Sequence, residues 1–282
     1  MASWTLGNLL RAPPVPEWVQ QAWTSGVRQG VMSLLQMSND RLMASQSEET
    51  QDLLLEFVGE GALLASHLST SLESLSYLLE RSPSSLQEEA SFSSSEGPDL
   101  IVCAIRGLRW AGTRDPLLAL PLFRMLGAIL RTVPLASRWL MAFNELPALC
   151  RAYLSPAQSP VLLKECLFFL ANWTAGDLVN REMVVKTLHL TDSLLTLCLQ
   201  SVHQVQREAC FVLANLIVLP PVVQAASSRA FLVIVREKLE DVNDTRLIQA
   251  LCYLVYSLAT QLPQVRHPIP FPCVFDGLGS DG

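Results

Sequence analysis

Apolar residues along the chain fall repeatedly at i, i+3, i+4 and i+7, as in Leu162, Cys166, Phe169 and Leu170, or in Leu194, Leu195, Leu197 and Cys198. That spacing places them on one side of a 3.6-residue helix and predicts amphipathic helices facing a shared core. Alternating runs of Val, Ile and Thr are scarce, and the breaks between apolar segments are short Pro or Gly punctuations suited to helix-to-helix turns. The most apolar stretch, Cys210 to Ala226, carries no charge but is interrupted by Asn215 and by Pro220-Pro221. A bilayer span needs about 20 predominantly apolar residues, and a double proline inside it would forfeit backbone hydrogen bonds. The stretch therefore predicts a buried helix, a break and the start of another helix, with no membrane span.

The helices recur with a period. Lys164 to Gly176 (KECLFFLANWTAG) and Arg207 to Leu219 (REACFVLANLIVL) share the pattern [KR]-E-x-x-F-x-L-A-N, with Asn172 and Asn215 standing 43 residues apart. One period earlier Ala128 falls in the asparagine slot, and one period later Ser257 does. Two further copies, with Asn8 and Phe57 in the slot, precede a Ser/Glu-biased stretch whose length restores the register. A helical period in the range of about 40 to 47 residues belongs to armadillo and HEAT repeats, in which each unit buries its apolar side only by stacking on its neighbours. The expected fold is an all-α, armadillo/HEAT-like solenoid of about six repeats in a right-handed superhelix. Residues 1–81 hold the N-terminal repeats, the first one partial. Residues 82–99 form a flexible Ser/Glu-rich insertion, residues 100–266 the C-terminal repeats, and residues 267–282 a loosely ordered Pro/Gly-broken tail.

Two segments carry a family resemblance. ASWTLGNLLRAPPVP, from Ala2 to Pro16, resembles the importin-α repeat core, in which a W-x-x-x-N helix precedes a Pro-containing loop. LKECLFFLANWTAG resembles that family's K-E-A-C-W-T-x-S-N-x-T-A-G signature, with Lys164, Glu165, Asn172, Thr174, Ala175 and Gly176 in agreement, Cys166 one position before the signature's Cys, and Phe168 in place of Trp. The chain looks like a divergent, N-terminally shortened relative that starts at the last helix of its first unit. Residues i and i+4 lie one above the other on a helix. Trp4 with Asn8, Phe168 with Asn172, and Phe211 with Asn215 thus each set an aromatic ring beside an amide. The resemblance implies that such pairs line a groove, the rings sandwiching the stem of a Lys or Arg from a basic peptide and the amides holding its extended backbone. It implies an adaptor for nuclear-localisation-signal peptides in nuclear protein import, present in cytoplasm and nucleus. Importin-β is the further partner it suggests, although the family's basic importin-β-binding segment does not occur here. The alternative is an armadillo scaffold for protein–protein interaction that has lost basic-peptide recognition. A simpler use exists for each residue: the phenylalanines as core, the asparagines as ties to a neighbouring backbone carbonyl, and Gly176 as a left-handed helix C-cap.

Composition narrows the remaining chemistry. Charged residues make up only 16% of the 282, and the net charge of −6 argues against a binder of nucleic-acid phosphates. The seven cysteines are scattered singly through apolar stretches without a C-x-x-C pair, which predicts reduced core thiols. His67, His189, His203 and His267 stand alone, so neither a metal site nor a cofactor is expected. The C-terminal GLGSDG matches a phosphate-binding glycine pattern in letters but has no strand before it and no helix after it. No paired acid and base or nucleophile signal appears, and no enzymatic activity is expected.

Overall fold

The structure, a computed structural model, describes residues 99–262 except 114–115, 156–157 and 189, together with Gln29, Met32, Ser33, Gly59, Ala62 and Ala65. The Trp4/Asn8 pair, Phe57, residues 82–98 of the expected insertion and the tail from 267 lie outside the described residues. Among those described, the secondary structure is helical throughout and contains no strand.

Eleven helices follow one another: α1 (Asp99–Thr113), α2 (Leu120–Thr132), α3 (Ser137–Leu140), α4 (Leu146–Tyr153), α5 (Pro160–Thr174), α6 (Leu178–Leu188), α7 (Thr191–Gln200), α8 (His203–Leu216), α9 (Pro220–Ala226), α10 (Arg229–Asp241) and α11 (Thr245–Gln261). They group by threes into α3/α4/α5, α6/α7/α8 and α9/α10/α11, with α1 and α2 as the last two helices of a preceding unit. In each of these three units the third helix is the longest, and the series packs α2 on α5, α5 on α8 and α8 on α11. Ala128, Asn172, Asn215 and Ser257 sit on these four helices, one each, so the period in the sequence is the rung spacing of the ladder.

Local chemistry sets where each rung begins and ends. Ser159 accepts a hydrogen bond from the Leu162 amide and Pro160 opens α5 at a position whose N–H has no helical partner to lose. The Asp244 carboxylate accepts from the amides of Arg246 and Leu247 and opens α11. Pro134, just past α2, cannot continue it. The uncharged Cys210–Ala226 stretch divides as expected: α8 ends at Leu216, and Pro220-Pro221 start α9. Among the described residues no helix is long and apolar enough to cross a membrane.

The core runs continuously along the stack. Leu162, Cys166, Phe169 and Leu170 of α5 are fully buried, as their spacing predicts. Tyr153, Phe123, Phe169 and Trp173 form, in that order, an unbroken aromatic chain through α4, α2 and α5, with successive centroid separations of 5.1, 5.7 and 5.5 Å. Each such pair adds about 0.5–1.5 kcal/mol beyond its area burial. The Tyr153 hydroxyl donates to the Leu108 carbonyl at 2.7 Å, joining one unit to the previous one, and burial pushes its pKa well up. Ala62 and Ala65 are buried in the same core.

Two expectations are corrected. Gly176 does not adopt the left-handed conformation; it is glycine because a Cβ there would lie 2.9 Å from the Asn180 amide nitrogen and 3.0 Å from the Ser137 hydroxyl. The carbonyls at the end of α5 are capped instead by Arg181, which donates to Thr174 O at 2.8 Å and Gly176 O at 3.1 Å. Of the six described cysteines five are buried, but Cys252 is exposed on α11, where the helix turns its ladder surface outward. Among the described residues no group of three or more His, Cys, Asp or Glu could hold a metal ion.

The ladder face as candidate binding surface

The exposed side of the third helices presents the same positions rung after rung. On α5 these are Lys164, Phe168 and Asn172; on α8 Arg207, Phe211 and Asn215; on α11 Gln249, Tyr253 and Ser257; on α2 Arg124 presents itself while Ala128, in the asparagine slot, is buried. Four of the six residues that sequence reasoning selected, Phe168, Asn172, Phe211 and Asn215, therefore share one surface, and all four are half-buried.

Both asparagines find partners inside the protein. The Asn172 amide donates to the Phe168 carbonyl one turn back at 2.7 Å. The Asn215 amide reaches across to α5, donating to the Ala171 carbonyl at 2.9 Å and to the Thr174 hydroxyl at 3.4 Å. An amide inside an apolar helix needs such a partner, because leaving a buried polar group unmet costs about 1–3 kcal/mol. Asn215 is thus a tie between rungs, the second of the two uses its spacing allowed.

The aromatic positions differ from one another. The Phe168 ring lies against α2, filling the space where a Cβ on Gly127 would come within 2.5 Å of it, and the Arg131 guanidinium stands over the ring at 6.0 Å from its centroid. Further along, Phe211 pairs with Tyr253 of α11 at 6.1 Å between centroids, tilted by 47°. Tyr253 is 45% exposed and Tyr256 62% exposed, so this end of the ladder offers open aromatic surface.

The charge pattern was not singled out from the sequence, although the repeated [KR]-E dipeptide is its trace. Glu165, with 4% of its side chain exposed, receives Arg124 from α2 at 2.6 Å and Lys164 from its own helix at 3.1 Å. Burial alone would raise the Glu165 pKa; the hydrogen bonds and charges of Arg124 and Lys164 outweigh it and hold the carboxyl below its usual range. On the next rung Arg207 of the same helix grips Glu208 at 2.7 Å, as Lys164 does Glu165.

By sequence the chain matches no protein-family model and no curated protein. By structure it is similar to a designed armadillo repeat protein solved in complex with the peptide (KR)4, with a TM-score of 0.60, 15% identity and 91% of each chain covered. An engineered protein gives a TM-score of 0.64 at 15% identity over 92% of this chain and 91% of that one. A computationally designed armadillo repeat protein for modular peptide recognition gives 0.57 at 13% identity over 91% of each chain. The fold is that of an armadillo-repeat solenoid.

Proposed function

We propose that this chain is an armadillo scaffold that holds an extended segment of a partner protein across the face of α2, α5, α8 and α11. The observation that carries this reading is the repetition itself. Four packed rungs turn equivalent positions, including the open Phe211–Tyr253 pair, to one surface, the arrangement that suits a chain in extended form. The fold supports it by analogy, since designed armadillo proteins of the same architecture include one solved with a peptide bound.

Two finer readings compete. The importin-α resemblance of Lys164 to Gly176 favours an adaptor for basic nuclear-localisation-signal peptides in nuclear import, working between cytoplasm and nucleus with importin-β. The local geometry favours a scaffold without basic-peptide recognition. Arg131 already stands where a basic side chain would meet the Phe168 ring, and the amides of Asn172 and Asn215 are bonded to backbone carbonyls. We adopt the second.

Selection of random dodecapeptides displayed on phage tests the scaffold reading directly. Sequences enriched on the full chain are expected to lose binding to a Phe211→Ala, Tyr253→Ala double variant that melts within a few degrees of the parent. Enriched peptides that bind parent and variant equally would refute a role for the ladder face. A Lys/Arg-alternating peptide included in the same panel would restore the import reading if it bound best.

A further inference from the structure

We propose that the segment held on the ladder face is acidic, with carboxylates recurring about every third residue and an apolar residue beside them. This rests on the scaffold reading and adds the chemistry of the partner.

The four rungs carry Arg124, Arg131, Lys164, Arg207 and Arg246, against two carboxylates, Glu165 and Glu208. The surplus of three positive charges runs against the composition, because the rest of the chain then holds fifteen Lys and Arg against twenty-four Asp and Glu, out of totals of 20 and 26. The two carboxylates do not face outward. Glu165 is 3% and Glu208 7% exposed, and each is enclosed by the cations of its own surface. Arg124 and Lys164 share a single carboxylate, so one positive charge in that trio is left over. Arg131 and Arg246 are exposed, each seven residues, two helical turns, from a ladder position: Arg131 from Arg124, and Arg246 from Tyr253. Asp244, the cap of α11, is the carboxylate nearest in sequence to Arg246, and it is spent on backbone amides.

Spacing adds the period. Packed helices lie about 8–10 Å apart and an extended chain advances about 3.3 Å per residue, so a segment crossing the rungs meets a new helix about every three residues. At the α11 end Phe211, Tyr253 and Tyr256 lie on the same helices as Arg207 and Arg246, and they suit an apolar or aromatic anchor next to the acidic stretch. A like-charged basic segment would meet Arg131 and the unshared charge of the Arg124/Lys164 pair.

Fluorescence anisotropy with the full chain tests the proposal. The probes are three labelled dodecapeptides with Glu, Gln or Lys at every third position and identical Leu and Phe elsewhere, plus a single-stranded oligothymidylate of matched length. The Glu peptide is expected to bind at least about tenfold tighter than the Gln peptide, to weaken steeply with added salt, and to lose that advantage in Arg131→Glu. Arg131→Gln, which removes one exposed charge without reversing it, is expected to lose part of it and guards against a folding defect in the first variant. Equal binding of Glu and Gln peptides, abolished by Phe211→Ala with Tyr253→Ala, would overturn the acidic partner while leaving the scaffold standing. Preference for the Lys peptide, or oligothymidylate binding as tight as the Glu peptide, would also overturn it. No binding of any probe would remove the scaffold reading as well.

Discussion

Gly176 shows how little slack the stack has at single positions. The residue follows α5 and is closed in by Asn180 from α6 and Ser137 from α3, so two consecutive units meet over its missing side chain. Gly176→Ala is expected to destabilise the chain by about 1–3 kcal/mol, the usual cost of forcing an extra carbon into a filled site. Urea unfolding followed by circular dichroism measures it; an unchanged midpoint would mean the site can open. Glu165 gives a second prediction at this scale. Its folded pKa lies below the ordinary value of 4.5, so the carboxylate contributes stability that is present above that value and is lost as pH falls through the folded one. Because Arg124 is 38% exposed, the contribution is discounted for solvent to about 1 kcal/mol. The stability difference between the parent and Glu165→Gln is expected to be largest near neutral pH and to shrink as pH falls below 4.5 and on through the folded value. A difference that stays constant down to about pH 3 would show that Arg124 and Lys164 do not lower the carboxyl's pKa on folding.

At the scale of elements, helix identity follows from periodicity, and the starts follow from residues that can be named in advance. Asp244 and Ser159 are side chains that meet orphan amides, and the prolines at 160, 220 and 221 stand where a missing N–H costs nothing. Asp244→Ala is expected to cost about 0.5–2 kcal/mol and to raise hydrogen exchange first in the opening turn of α11. Exchange that rises uniformly along the chain instead would mean that α11 does not open on its own. The rungs were legible because their faces repeat, with Asn172 and Asn215 as markers. Their partners were not. An asparagine in an apolar helix announces that it needs a hydrogen bond, but whether it turns to its own helix, as Asn172 does, or to the next, as Asn215 does, depends on the gap between helices. Nor could spacing reveal that Gly127 and Arg131 would enclose the Phe168 ring, since those residues come from the rung before.

For the whole molecule, the same repetition that made the fold readable concealed its electrostatics. Net charge is a sum over all surfaces, and a chain at −6 gives no sign that one face runs the other way. Only when α2, α5, α8 and α11 are lined up do the cations of separate segments fall on a common surface. The strut from Asn215 to the Ala171 carbonyl then has a mechanical meaning. A partner that takes that amide removes one of the bonds tying α8 to α5, so occupancy at this point bears on how firmly the two rungs are joined.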